Sequence, residues 1–117
     1  MSESIGIYIH IPFCKSKCPY CDFFSGRASE TDYDNYMRIL KEKIKYWSVQ
    51  TDKNVATVYF GGDTPSVLGA DRLSDVLYSV KDCFTVEPEA EITVEVNPDT
   101  GKTLDFEKLR LAGFNRV

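Results

Sequence analysis

Three cysteines near the amino terminus are the residues of this sequence best suited to chemistry. Cys14, Cys18 and Cys21 are spaced C-x3-C-x2-C and come just after the apolar stretch Ile5–Pro12. Four thiolates close the coordination of a [4Fe–4S] cluster, which suits electron transfer. Three thiolates leave one iron open, as a catalytic zinc site keeps one position for its substrate. The spacing therefore predicts a cluster that binds a ligand and does chemistry on it.

Two other interpretations use the same cysteines. His10 is the only histidine of the chain, and together with the three thiols it would complete a zinc site. Structural zinc sites, however, usually divide their ligands into two pairs. Cys18 and Cys21 also match the CxxC pair of thioredoxin-like proteins, which leaves Cys14 unexplained.

Composition limits the class of protein. The chain has 117 residues, 43% of them hydrophobic, and a formal net charge of −4, which fits one globular domain at most. Its scattered basic residues give no support for nucleic-acid binding, and its apolar runs are too short for a transmembrane segment. The first residues lack the basic segment of a secretory signal. We therefore expect a cytoplasmic location, where closely spaced cysteines serve as metal or redox ligands rather than in disulfides.

Hydrophobic periodicity predicts alternating strands and helices. Pro12 ends the first strand, Pro88 separates the second helix from the third strand, and Gly113 caps the third helix. The order β-α-β-α-β-α-β predicts an α/β fold with a parallel sheet and right-handed crossovers. The predicted strands are Ile5–Ile11, Ala56–Phe60, Glu91–Val96 and the start of a fourth at residues 114–117; the predicted helices are Tyr33–Trp47, Asp71–Asp82 and Thr103–Ala112.

The first and third strands alternate apolar and polar residues, which predicts two different faces of the sheet. Isoleucines and valines should face the helices, while the opposite face should carry Tyr8, His10, Thr93, Glu95 and Asn97. A polar inner face indicates a barrel with a working cavity. The cysteine segment, the Gly-Gly-Asp loop and the Asn-Pro turn all follow carboxyl ends of strands, where α/β folds bind their ligands.

Four sequence blocks in one order resemble a known family. They are IYIHIPFCKSKCPYCDF at residues 7–23, YFGGDTPS at 59–66, EITVEVNP at 91–98 and GFNR at 113–116. The chain resembles the radical S-adenosylmethionine (SAM) superfamily, and within it the oxygen-independent coproporphyrinogen III oxidase and HemW heme-chaperone family. The resemblance covers nearly the whole chain. It implies the amino-terminal half of a partial (β/α)6 barrel, with residues 1–117 as an incomplete core domain of three βα units and the start of strand four, expected to be part of a longer protein.

The resemblance also implies a cofactor site. Cys14, Cys18 and Cys21 would hold the [4Fe–4S] cluster, and its fourth iron would take the amino and carboxylate groups of SAM. The other implied contacts are Tyr8 beside the cluster and sulfonium, Tyr20 near the adenine, Gly62, Asp63 and Thr64 at the amino end of SAM, and Glu95 at the ribose hydroxyls.

Two positions depart from the family pattern. Asp63 stands where family members usually have a third glycine. Because aspartate tolerates positive φ better than most residues, we expect a modest perturbation of the SAM site rather than its loss. Phe23 stands where the oxidase carries a further cysteine, which favours the heme-chaperone branch.

The predicted function is therefore a HemW-like protein that binds a [4Fe–4S] cluster and SAM, with heme as a further candidate ligand. A flavodoxin or ferredoxin would suit as electron donor, and a heme-accepting protein as partner. One alternative is an active oxidoreductase that decarboxylates the propionates of coproporphyrinogen to vinyl groups. A second alternative is an inactive, truncated remnant.

Overall fold

The computed structural model describes residues 4–13, 30–62, 64–96 and 104–117. The three strands it contains form a parallel sheet in the order β1-β2-β3, so the α/β prediction is confirmed. The elements are β1 (Ser4–Ile11), α1 (Glu30–Ser48), β2 (Asn54–Gly62), a short 3-10 helix (Pro65–Leu68), α2 (Gly69–Cys83), β3 (Val86–Val94) and α3 (Phe106–Ala112).

The third strand differs from its prediction, because β3 begins at Val86 and contains Pro88. Val55 pairs with Val86, whereas Thr57 already pairs with Glu91, so residues 87–90 bulge opposite Ala56. Proline is tolerated in a bulge because its missing N–H is not needed by the ladder. Pro88 therefore lies inside the strand and does not mark its start.

The expected fourth strand begins to pair with β3. Arg116 forms a parallel bridge with Thr93. The Arg116 N–H donates to the Ile92 carbonyl at 3.1 Å, and the Val94 N–H donates to the Arg116 carbonyl at 3.2 Å. Gly113, with φ of +127°, ends α3 as predicted.

The core lies between one face of the sheet and the helices, so the prediction for the isoleucines and valines is confirmed. The apolar stripe of α1 is buried at Tyr33, Met37 and Ile44. Its last predicted member, Trp47, is 59% exposed and packs edge-to-face on Tyr46. The strand and helix residues that share the core include Ile9, Ile11, Val58, Phe60, Ile92, Val94, Leu73, Val76, Leu77, Val80 and Leu109.

The outer surfaces of the helices carry charged groups. Arg72 of α2 donates to Glu30 at 2.8 Å and to Asp34 at 3.2 Å, and Lys108 of α3 pairs with Asp71. Among the described helices, none is both long and apolar enough to cross a membrane.

Candidate functional site

The polar face of the sheet carries aromatic residues in register. Tyr8 of β1 pairs with Tyr59 of β2, and Tyr59 pairs with Thr93 of β3. The rings of Tyr8 and Tyr59 stack with their centroids 5.9 Å apart and an interplanar angle of 16°. Tyr8 is 59% exposed and Tyr59 is 38% exposed. The predicted sharing of this face by Tyr8 and Thr93 is confirmed, and Tyr59 joins them between the two.

Glu95 extends this face beyond the last residue of β3. Its backbone N–H donates to the Phe60 carbonyl at 3.0 Å, so the sheet ladder holds the main chain in place. The hydroxyl of Tyr59 donates to Glu95 Oε2 at 2.7 Å, and the backbone N–H of Gly62 donates to Glu95 Oε1 at 3.2 Å. Both carboxylate oxygens are thus tied to the carboxyl end of β2.

Two glycines shape this end of β2. Gly62 has φ of +120°, and a Cβ there would lie 2.3 Å from the Ile11 carbonyl oxygen; both the conformation and the close approach to β1 require glycine. A Cβ on Gly61 would lie 2.9 Å from a ring carbon of Tyr8 and 2.9 Å from one of Tyr59. The absence of a side chain at Gly61 therefore makes room for the stacked rings.

An open cleft of about 690 Å³ lies beside these residues and includes Tyr59, Thr64, Glu95 and Arg116 in its lining. Thr64 is 6% exposed, and its carbonyl accepts from the Val67 N–H at 3.0 Å at the start of the 3-10 helix. The volume is within the range of small-molecule sites, about 300–1,000 Å³. The cleft therefore has room for a nucleoside-sized ligand.

The hydrogen bond with Glu95 is also the main electrostatic feature of Tyr59. Because the Tyr59 hydroxyl donates a hydrogen bond to the Glu95 carboxylate, the pKa of Tyr59 is raised above its ordinary value, and burial and the negative charge of Glu95 act in the same direction. Tyr59 therefore remains a protonated donor at neutral pH. Arg116, which also lines the cleft, forms an ion pair with Glu91 at 3.2 Å.

His10 lies on the polar face, as predicted. Its Nδ1 is 3.2 Å from the hydroxyl of Tyr8, and its carbonyl accepts a hydrogen bond from the hydroxyl of Tyr36. Burial, followed by the proximity of Tyr8, raises the pKa of Tyr36.

In the described parts of the chain no three or more His, Cys, Asp or Glu residues are grouped so as to hold a metal, but the cysteines of the zinc interpretation lie outside those parts.

The structure brings Tyr8, Gly62, Thr64 and Glu95 to one edge of the sheet. Tyr59 was part of a motif in the sequence but received no role, although its position two residues before Gly61 in a strand places it on the polar face. The remaining predicted positions lie outside the described residues: Cys14, Cys18, Tyr20, Cys21, Phe23, Asp63 and Asn97.

Comparison with known proteins identifies the family. The model of the Radical SAM superfamily matches residues 8–117. This chain belongs to the radical SAM superfamily. The resemblance inferred from the sequence blocks is therefore confirmed.

Two curated relatives of this radical SAM chain are named for heme or for a porphyrinogen. Heme chaperone HemW of Mycobacterium tuberculosis (strain CDC 1551 / Oshkosh) is 36% identical over 119 residues, covering 98% of this chain and 30% of the relative. Oxygen-independent coproporphyrinogen III oxidase of Bradyrhizobium diazoefficiens is 30% identical over 97% of this chain and 26% of the relative. This chain thus spans about 30% of the length of the curated chaperone that it matches.

A solved structure agrees with these sequence relatives. Coproporphyrinogen III oxidase (HemN) from Escherichia coli, a radical SAM enzyme by its description, superposes with a TM-score of 0.81 and 26% identity. The match covers 98% of this chain and 27% of the oxidase chain. The described sheet and helices therefore have the radical SAM fold that the sequence predicted.

Proposed function

We propose that this radical SAM chain is part of a HemW-like heme chaperone and binds a [4Fe–4S] cluster and SAM at the carboxyl edge of its sheet. The observation that carries the proposal is the Glu95 carboxylate, which Tyr59 and Gly62 hold at 2.7 and 3.2 Å beside the cleft. Parallel α/β folds bind ligands at this edge. Glu95 is proposed to accept hydrogen bonds from the ribose hydroxyls.

The charge and shape of the described residues fit SAM, which carries a sulfonium and an ammonium group. The described partners of Glu95 are a phenol and a backbone amide, both uncharged, so its negative charge is retained beside the cleft. The ring of Tyr8 is exposed on the same face and offers a π surface to a cation such as the sulfonium. Gly62 and Thr64 are proposed to lie at the amino end of SAM, and Thr64 also lines the cleft.

The cluster ligands in this proposal are the thiolates of Cys14, Cys18 and Cys21. In the sequence, Cys14 directly follows Phe13, and β1 ends at Ile11, which pairs with Gly62. When bound and reduced, the cluster would supply one electron to SAM, which would break a C–S bond of the sulfonium and release methionine and a carbon radical. Tyr20 is proposed to lie near the adenine, and Asp63 at the amino end of SAM.

Heme is the proposed cargo. The identity to a heme chaperone, 36% over 98% of this chain, and Phe23 in place of the oxidase cysteine both favour the chaperone. The proposed partners are a flavodoxin or ferredoxin as electron donor and a heme-accepting protein. The second candidate is oxygen-independent coproporphyrinogen III oxidase, which is favoured by the 30% identical relative of that name and by the superposition on the Escherichia coli enzyme.

Anaerobic reconstitution with iron and sulfide tests the cluster. We expect a brown, oxygen-sensitive protein with about four irons per chain and the loss of this cluster in Cys14→Ala. The matched control is Cys83→Ala, because Cys83 ends α2, is partly buried and is not one of the three proposed ligands; this variant should reconstitute normally. Wild-type protein that remains colourless with only trace iron would contradict the proposal and favour the inactive remnant.

The chaperone and the oxidase differ in what they do with a tetrapyrrole. Stable heme binding without turnover is the result expected for the chaperone. Formation of protoporphyrinogen from coproporphyrinogen, with SAM and a reductant present, would instead establish the oxidase.

A further inference from the structure

We propose that Tyr59 is a positioning residue for Glu95, orienting its carboxylate toward the 2′- and 3′-hydroxyls of bound SAM. This inference rests on the proposed function, because it concerns the residue that would bind the ribose.

The described hydrogen bonds of Glu95 leave two lone-pair sites that could accept hydrogen bonds from a vicinal diol. An ionised carboxylate offers about four lone-pair sites, two on each oxygen. Tyr59 occupies one site on Oε2 at 2.7 Å, and the Gly62 N–H occupies one site on Oε1 at 3.2 Å. With respect to these described donors, each oxygen keeps one free site. A vicinal diol has two O–H donors on adjacent carbons and can use both oxygens at once.

Glu95 needs such an orienting contact because the core does not hold its side chain. It follows the last residue of β3 and is exposed on the polar face. A freely rotating glutamate would lose rotamer entropy when it binds a ligand, which weakens binding. The bond from Tyr59 fixes one oxygen before the ligand arrives.

Tyr59 is itself held in place by its neighbours. Its ring stacks on Tyr8 at 5.9 Å, and Gly61 leaves space below both rings. The backbone of Tyr59 lies in register between Tyr8 and Thr93. The raised pKa of Tyr59 keeps its hydroxyl a donor throughout the neutral range. The contacts thus run from β1 through Tyr59 to the carboxylate.

The variant Tyr59→Phe removes the hydroxyl and keeps the ring. Calorimetric titration of the protein with SAM should show binding that is weaker by up to about tenfold in the variant, the effect expected when one glutamate side chain must be immobilised as the ligand binds. Tyr46→Phe is the control, because Tyr46 is 59% exposed on α1 and packs on Trp47. Its affinity for SAM should equal that of the wild type.

Two competing nucleosides separate positioning from a general loss of structure. Tyr59→Phe should lower the affinity for adenosine by the same factor as the affinity for SAM. The affinity for 2′,3′-dideoxyadenosine should stay unchanged, because that nucleoside lacks the diol. If the wild type binds SAM and Tyr59→Phe binds it with the same affinity, this inference is wrong and the proposed function is unaffected. Equal weakening of both nucleosides would also overturn it. Failure of the wild type to bind SAM would overturn the proposed function, and this inference with it.

Discussion

The two faces of the sheet differ in burial and in the kind of contact they make. On the helix side, Ile11, Phe60 and Val94 are fully buried and contribute apolar packing. On the other side, Tyr8 and Tyr59 are partly exposed, and the contacts are a ring stack and directional hydrogen bonds.

This difference separates stability from ligand binding within the same strands. Phe60 and Tyr59 are neighbours in β2, yet one contributes to the core and the other to the candidate site. Because side chains alternate across a strand, a substitution at one of these positions should affect one property and largely spare the other.

The largest effect is expected from Phe60→Ala, which removes a ring that is 0% exposed and packs on Phe114 with centroids 5.0 Å apart. Loss of a buried phenylalanine costs about 3–5 kcal/mol of unfolding free energy. Urea unfolding measures it, with Tyr59→Ala as the control on the opposite face. A loss of stability in Tyr59→Ala as large as that in Phe60→Ala would break the comparison of the two faces.

The second-largest loss of stability is expected at Gly62, at the carboxyl end of β2. Gly62→Ala combines positive φ with a Cβ 2.3 Å from the Ile11 carbonyl oxygen, whereas Gly69→Ala has φ of +84° and no atom within 4 Å. A non-glycine residue in such a backbone conformation costs about 1–3 kcal/mol. The free energy of unfolding should therefore fall by that amount in Gly69→Ala and by clearly more in Gly62→Ala. Urea unfolding of both variants measures these two losses. Equal losses of unfolding free energy would show that the close approach of β1 and β2 is unimportant.

A smaller effect is expected from titration of the tyrosines. The folded pKa of Tyr59 lies above its ordinary value of 10.0, mainly because of the bond with Glu95. The stabilisation from this bond is therefore complete below pH 10 and is lost as pH rises through the folded pKa. Tyrosinate absorbance should show Tyr59 ionising earlier in Glu95→Gln, where the negative charge is absent.

Tyr36 is the internal control for that titration, because burial is the largest cause of its raised pKa. Its ionisation should stay late in Glu95→Gln, while Tyr59→Phe should remove one late-ionising group. Identical absorbance curves for the wild type and Glu95→Gln would contradict the assigned hydrogen bond.

Local sequence patterns predicted the parts of the fold that depend on local structure. The alternating isoleucines of β1 and the stripe at Tyr33, Met37 and Ile44 identify buried faces, because strand and helix periodicities act within one element. The positions of Tyr8 and Glu95 on the polar face followed in the same way. The family resemblance supplied the chemistry that these positions alone did not specify.

Features that depend on contacts between strands were harder to predict. Pro88 suggested a boundary, but the pairing of β2 with β3 places it in a bulge, and that pairing is not local. The bond from Tyr59 to Glu95 joins residues far apart in the chain and depends on the register of two strands. Trp47 continues the stripe of α1, yet it is exposed because α1 extends past the core at its carboxyl end.

The proposed SAM site is tested most directly by calorimetric titration with SAM of the wild type, Glu95→Gln and Glu91→Gln. Glu91 of β3 lies four residues before Glu95 and also lines the cleft, but it is paired with Arg116. We expect the wild type to bind SAM, Glu95→Gln to bind it at least about tenfold more weakly because a charged acceptor is lost, and Glu91→Gln to stay close to the wild type. Absence of SAM binding in the wild type, or equal affinity of the wild type and Glu95→Gln, would contradict the placement of the cofactor site at this edge of the sheet.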